Sequence, residues 1–518
     1  MYNLFKTIIE GEIKIMKYKN PVHRGFFPDP SIVRVGEDYY KVNSTFQYFP
    51  AIPISHSKDL VHWEIIGHAI TNSNYLDLSE TLDSRGIWAP DISYYNGKFY
   101  IFATFRHNGQ EKSEAPLRSQ IIMTSDNPEG PYSKPVIIPV DNIDPSHFVD
   151  EDGKHYMIIA PGLTVVPLND DCTAISGEIK QVWSGTGERC SEGPHIFKKD
   201  GYYYALVAEG GTGYGHGINI ARSKNLYGHY EECPYNPILG QTDHNAPIQR
   251  SGHGDIVETQ NGEWWCIYLC GRPNGGNYTT VGRETALDPV NWTKDGWFVI
   301  NDRKPSIEQR IPNLPIKKYS KNTHYDFSKG EISLDWEWVR NPDYNNWCFE
   351  NNCLKIKPQM GYMYQIKAKN ILLRREQELS YIAETKLTFK AEKVGQQAGI
   401  TCYYSTVSYI RFGLCSEGLE LVINRNKGEE IISVISGIKS KTVYLKVEVK
   451  GLERVFSYSY NGEDWLIASK LTNCIYLCDE GVPDDRKRHT GTLVGIYALG
   501  GNNEKTLPAY FEYFSYND

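Results

Sequence analysis

From Asn20 to about residue 300 the apolar positions come in paired short runs. Each pair is a strand-like run, a polar turn, and a second run rich in aromatic residues. Ser191 to Val207 shows the unit. Glu192-Gly193-Pro194-His195-Ile196-Phe197 leads into a strand, Lys198-Lys199-Asp200-Gly201 turns, and Tyr202 to Val207 returns, which makes a hairpin with a carboxylate at its mouth. The same unit begins at Asp29, Trp88, Asp144 and His253, and these heads recur every 48 to 61 positions. The closing aromatics are Tyr40, Tyr100, Tyr156, Tyr204 and Trp265, each twelve positions after its head except Tyr40, which is eleven after Asp29. A period slightly longer than the roughly 40 to 50 residues of a propeller blade predicts five four-stranded blades over residues 20–302. Such blades bury each other around a channel lined by their inner strands.

After residue 302 the paired pattern stops. Residues 301–322, with Pro305, Pro312 and Pro315, read as a linker. From 323 to 518 short alternating strands such as Tyr381–Phe389, Leu419–Ile423 and Val443–Val449 predict a β-sandwich. The expected fold class is therefore all-β, a five-bladed propeller followed by a sandwich. Composition agrees: 40% apolar residues over 518 positions, with 45 glycines, 37 tyrosines and 11 tryptophans, suit a turn-rich all-β chain.

A net charge of -8 without a basic patch argues against nucleic acid as a partner. No apolar run approaches the roughly 20 residues of a membrane helix. The apolar run near the N-terminus is broken by Lys6, Glu10 and Glu12 and lacks a small-residue cleavage site, which makes a poor signal peptide. Residues 1–15, ahead of Met16, read as a dispensable extension. Eleven scattered cysteines, an odd number, point to reduced thiols and a cytoplasmic protein. Cys-Ile-Tyr-Leu-Cys occurs at Cys266–Cys270 and Cys474–Cys478. Residues four apart on a strand are about 13 Å apart, too far to share zinc bonds of about 2.3 Å, so all four are expected to be buried strand thiols. Oligomeric state stays open, a homo-oligomer included.

Candidate chemistry follows from the repeat. Equivalent positions of five inner strands converge on the axis, so Asp29, Trp88, Asp144, Glu192 and His253 should meet. Alone, each acid reads as a turn or strand-edge residue; together, three carboxylates, an indole and an imidazole make a site. Gly210 to Gly217 lacks the Gly-Lys-Ser/Thr ending of a phosphate loop and runs into a strand, so it reads as a tight loop near the pocket needing positive φ.

Phe27-Pro28-Asp29-Pro30-Ser31-Ile32, Ile87-Trp88-Ala89-Pro90-Asp91, Asp144-Pro145-Ser146-His147-Phe148, Glu192-Gly193-Pro194-His195-Ile196, Gly252-His253-Gly254 and Gly282-Arg283-Glu284-Thr285-Ala286-Leu287 together resemble glycoside hydrolase family 43. The resemblance runs along the whole propeller. It implies an inverting β-xylosidase or α-L-arabinofuranosidase acting on a small oligosaccharide, with no cofactor required for the chemistry. It implies Asp29 as general base, Glu192 as general acid, and Asp144 as a third acid that orients Glu192 and raises its pKa. Arg283 and His253 would sit at the substrate, with Phe46 and Trp88 as apolar walls against a sugar ring. A structural calcium in the channel, reached by His253 only through water, is left open. The C-terminal part resembles the sandwich appended to β-xylosidases of that family. There His489 precedes Thr490-Gly491-Thr492-Leu493-Val494-Gly495 where a Phe is usual, which puts the preference between the two sugars in question. An endo-arabinanase and a non-catalytic sugar-binding propeller are the alternatives.

Overall fold

The computed structural model describes every residue except 1–5, 10–11, 110–115 and 439. The expectation of an extension over residues 1–15 falls partly outside the described residues; within it, Lys6–Ile9 pairs antiparallel with Glu12–Ile15.

Five antiparallel sheets follow one another along the chain. The first orders Ser31–Val35, Asp38–Val42, Ala51–Ser57 and Glu64–Ile70; the inner strands of the rest are Gly86–Tyr95, Ser146–Val149, Glu192–Lys199 and Gln249–Glu258. Inner strands touch in sequence order, and the fifth returns to the first. Apolar clusters fill the seams between blades, for example Tyr204, Leu206 and Ile218 against Cys266, Tyr268 and Phe298. Each fully buried side chain of this size contributes about 1.5–3 kcal/mol.

One backbone feature repeats in all five blades. Asp29 (φ 51), Ala89 (φ 36), Asp144 (φ 60), Gly193 (φ 56) and His253 (φ 42) are left-handed. Each precedes Pro30, Pro90, Pro145, Pro194 or Gly254. Four positions later come Val33, Ser93, Phe148, Phe197 and Val257, which pair with the closing aromatics Tyr40, Tyr100, Tyr156, Tyr204 and Trp265. The structural repeat therefore starts at Ala89 and Gly193, and alignment on Trp88 and Glu192 is one residue early. The near-uniform spacing of twelve hid this, because the hairpins of the third and fifth blades are one residue longer.

A left-handed residue kinks the strand entry, and in the first, third and fifth blades it is Asp29, Asp144 and His253, whose side chains approach one another. Two positions on, Ser31, Asp91, Ser146, His195 and Asp255 form a deeper layer. Ser31 Oγ donates to Asp91 Oδ1 at 2.7 Å and lies 3.1 Å from Asp255 Oδ2, while His195 Nδ1 is 3.7 and 3.6 Å from those two carboxylates.

The sandwich has two sheets. One runs from Trp347–Glu350 through Ala509–Asn517 and Ser380–Thr388 to Leu466–Leu471; the other runs from Glu429–Ser436 through Gln397–Ser405 and Leu493–Leu499 to Trp336–Val339. The second sheet takes its last strand from the propeller: Tyr48–Phe49 pairs with Trp338 and Val339. One apolar core joins Val42, Phe49 and Ile87 to Trp336, Ile400 and Phe511. Residues 301–322 are packed rather than slack. Glu308–Arg310 pairs with Lys17–Lys19, Leu314 is buried, and Lys317 N donates to Asp59 Oδ2. All eleven cysteines are free. Cys266 and Cys270 lie buried on Trp264–Gly271, whereas Cys474 and Cys478 are buried but flank a single 3-10 turn instead of lying on a strand.

Candidate active site

Asp29 is fixed between two prolines and buried at the channel mouth. Ser44 Oγ donates to its Oδ2 at 2.6 Å, Arg283 Nη1 donates to its Oδ1 at 3.0 Å, and His253 Nδ1 lies 3.8 Å from Oδ1. Burial alone would raise its pKa, but Arg283, then His253 and Ser44, outweigh burial and hold the carboxyl below its usual range. Asp29 is therefore ionised at neutral pH.

Asp144 and Glu192 are pushed the other way. Asp144 Oδ2 accepts from Gly193 N at 3.0 Å, and the Asp144 N–H donates to Thr104 Oγ1 at 3.0 Å. Burial first, then the charges of Glu192 and Asp29, raise Asp144 well above the ordinary carboxylate range. Glu192 is pushed up to about 7 by burial and then by Asp29, against Arg283 and Arg189. Burial is the main cause and Asp29 adds its charge; Asp144 and Glu192 also repel each other, so the two carboxyls do not ionise together. Asp144 acts on Glu192 through the backbone, by holding the next residue's N–H. The strand register also slips between Glu192 and His195. Glu192 lies one residue before its blade's left-handed position, whereas Asp29 and Asp144 occupy theirs.

His253 lies beneath this group, buried, with Nδ1 3.8 Å from Asp29 Oδ1 and 3.9 Å from Asp144 Oδ2. Burial lowers its pKa to about 4, so the ring is neutral. Arg283 is the hub. Besides Asp29, its Nη1 donates to Thr212 Oγ1 at 3.1 Å, and its Nε and Nη2 donate to the His489 carbonyl at 3.3 and 3.1 Å. Arg283 Cζ stands 5.8 Å over the Phe46 ring, whose centroid is 6.0 Å from that of Trp88. Phe46 is buried and Trp88 only half-buried, so Trp88 offers the more accessible apolar face.

Residues outside the repeat complete the site. Thr212 belongs to the Gly210–Gly217 loop, where Gly210, Gly211 and Gly215 have positive φ as expected. His216 of that loop is buried against Gly252. Asp479, from the sandwich, accepts from His489 N at 2.9 Å, Arg488 N at 3.1 Å, Arg250 Nη2 at 3.2 Å and the Tyr404 hydroxyl. It holds the loop whose carbonyl holds Arg283. Ser44 lies outside the repeated motifs, and the His489 contact is made by backbone, which leaves no sequence signal.

The family model for glycosyl hydrolases family 43 matches residues 18–298, and that for the beta xylosidase C-terminal concanavalin A-like domain matches residues 324–517. A xylan 1,3-beta-xylosidase of Vibrio sp is 35% identical over 96% of this chain and 98% of its own length. A non-reducing end alpha-L-arabinofuranosidase of Bacteroides ovatus is 32% identical over 96% of this chain and 94% of its own. A crystal structure of a GH43 protein from Bacillus licheniformis superposes with a TM-score of 0.94 at 55% identity, covering 97% of this chain and 100% of that one.

Proposed function

The chain belongs to glycosyl hydrolases family 43, and on that footing we propose that it is an inverting exo-glycosidase removing β-D-xylosyl or α-L-arabinofuranosyl units from xylo- or arabino-oligosaccharides. One observation carries the reading: three carboxyls gather at one channel mouth, where Arg283, bonded to buried Asp29, holds it ionised, while half-buried Glu192, beside the Gly193 N–H that Asp144 accepts, is pushed up to about 7. Carboxyls driven apart in proton affinity are what acid and base catalysis in one pocket require. Asp29 takes a proton from water as the water oxygen attacks the anomeric carbon. Glu192 gives its proton to the departing glycosidic oxygen as that bond breaks, across a gap of roughly 6.5–9.5 Å. Arg283 keeps Asp29 charged and, with its donors engaged by Asp29, Thr212 and the His489 carbonyl, fixes the orientation of that carboxylate toward the water. Asp144 fixes the backbone beside Glu192, and Trp88 offers an apolar face to the ring.

The sandwich loop carrying Asp479 and His489 meets Arg283 at the mouth. That contact supports cleavage at chain ends over cleavage within long chains. Eleven free cysteines support a reducing, cytoplasmic setting.

Calcium in the channel finds a poor donor set. It takes six to eight oxygens, whereas His253 faces Asp29 and Asp144, and the layer below offers Asp91, Asp255 and His195. Both lower carboxylates already accept hydrogen bonds, Asp91 from Ser31 Oγ and His147 N, Asp255 from Ile32 N and Ile256 N. Acid, base and water suffice for the chemistry.

The test is hydrolysis of 4-nitrophenyl β-xyloside and α-L-arabinofuranoside by wild type, Asp29→Ala and Glu192→Ala. Turnover of at least one substrate by wild type, with a loss of about a hundredfold or more in each variant, is expected. A folded wild type that binds these sugars without turnover would refute the enzyme reading.

A further inference from the structure

Behind the catalytic layer, the third blade gathers three side chains that the glycosidase chemistry does not use. His147 lies on the inner strand Ser146–Val149, three residues after Asp144. His155 opens the neighbouring strand His155–Ile159, and Cys172 comes from the turn that follows Leu163–Pro167. His147 Nε2 is 2.9 Å from His155 Nδ1, and Cys172 Sγ is 3.3 Å from His155 Nδ1 and 4.0 Å from His147 Nε2. We propose that these three atoms form a binding site for a thiophilic divalent cation of the zinc class, structural in role, which ties the blade together behind Asp144.

The triangle has the size such an ion needs. A point equidistant from the three donors lies about 2.0 Å from each, and an ion a few tenths of an ångström out of their plane meets the usual zinc distances of roughly 2.0–2.1 Å to nitrogen and 2.3 Å to sulfur. A fourth position is left for water. Two imidazoles and a thiolate are soft enough to select zinc over calcium or magnesium. As the sulfur–metal bond forms, the thiol proton of Cys172 leaves to solvent.

The surroundings hold the donors in place. Ser93 Oγ meets His147 Nδ1 at 2.6 Å, so the outer nitrogen has a partner and Nε2 faces the cluster, the usual support of a metal-bound histidine. The His147 ring is stacked on Phe102 at 4.7 Å. Cys172 is buried in the left-handed region at φ 57, in a turn closed by Cys172 N to Asn169 O at 2.9 Å and by Asn169 Oδ1, which accepts from Thr173 N and Ala174 N. Asp170 and Asp171, both exposed, precede the thiol and favour approach of a cation. The site also reaches the channel, because His147 N donates to Asp91 Oδ2 at 2.9 Å.

Unlike this trio, Cys266 and Cys270 sit on one strand without such a convergence of donors. The competing account is a dry hydrogen-bonded trio, in which one imidazole N–H donates directly to the other ring and Cys172 remains a thiol.

The experiment uses the full chain, stripped with a chelator and titrated with cobalt(II) and then zinc. The expected result is one equivalent of cobalt with a thiolate-to-cobalt charge-transfer band, displaced by zinc. Cys172→Ser should lose that band, and His155→Gln should bind cobalt at least about tenfold more weakly, both keeping glycosidase turnover. Independently of any variant, because Cys172 is buried, alkylation is followed in denaturant just below the unfolding midpoint, where zinc should slow modification of one of the eleven thiols of wild type, identified by peptide mapping as Cys172. Absence of the band in wild type, its persistence in Cys172→Ser, or protection of another cysteine would overturn the proposal in favour of the hydrogen-bonded trio.

Discussion

Asp29 and Glu192 occupy one pocket, yet Asp29 is pulled below its ordinary pKa by Arg283 while Glu192 is pushed up to about 7 by burial and by Asp29 itself. The pH dependence follows. The kcat/KM profile should be bell-shaped, falling on the alkaline side near pH 7 as Glu192 ionises, and on the acid side only below the usual carboxylate range as Asp29 is protonated. Stability carries the same signature with its own sign. A raised carboxyl pKa means that above about 4.5 the unfolded chain releases a proton that the folded chain keeps, so stability falls as pH rises toward 7. Glu192→Gln cannot ionise. It should exceed wild type by on the order of 2–3 kcal/mol at pH 8, with no difference near pH 4. Denaturant melts at the two pH values measure this; a constant difference would mean that Glu192 is not held protonated. At this scale the sequence was informative about which acids matter, because Asp29, Asp144 and Glu192 sit in repeated motifs. It was silent on what tunes them. The Ser44 bond and the Gly193 N–H contact to Asp144 come from chain segments brought together only by folding.

The blade is the element that sets this geometry, through the left-handed residue at each strand entry. Gly193 is where that conformation leaves least room. Its φ is 56, and a Cβ there would lie 2.8 Å from the His253 ring. Gly193→Ala should cost about 1–3 kcal/mol of stability and, by shifting the adjacent Glu192, reduce kcat more than KM. Steady-state kinetics beside a thermal melt check this, and unchanged kcat would separate Glu192 from the kink. The hairpin pattern was legible because strand alternation, turn residues and closing aromatics are local signals. The register within it was not. A one-residue difference in hairpin length is invisible to spacing, so Trp88 and Glu192 were aligned with Asp29 although Ala89 and Gly193 are its counterparts.

At the scale of the molecule the two domains are one mechanical unit. Tyr48–Phe49 of the propeller ends a sandwich sheet, and Asp479 of the sandwich positions the His489 carbonyl that receives Arg283. Asp479→Asn should weaken the buried pairing with Arg250, at a cost of about 3 kcal/mol, and lower kcat/KM at least about tenfold, although Asp479 makes no direct bond to Asp29, Asp144 or Glu192. Full activity in a folded variant would disconnect the sandwich from catalysis. The division into two folds was readable from the change of pattern after residue 302. Their interlock was not, since a two-residue strand and a backbone carbonyl leave no trace in composition. The central claim is that water activated by Asp29 attacks from the face opposite the leaving group protonated by Glu192. Proton NMR of the first sugar released from a β-xyloside or α-L-arabinofuranoside tests it most directly. The initial product should carry the inverted anomeric configuration, and an initial product with the substrate's configuration would contradict Asp29 as the base.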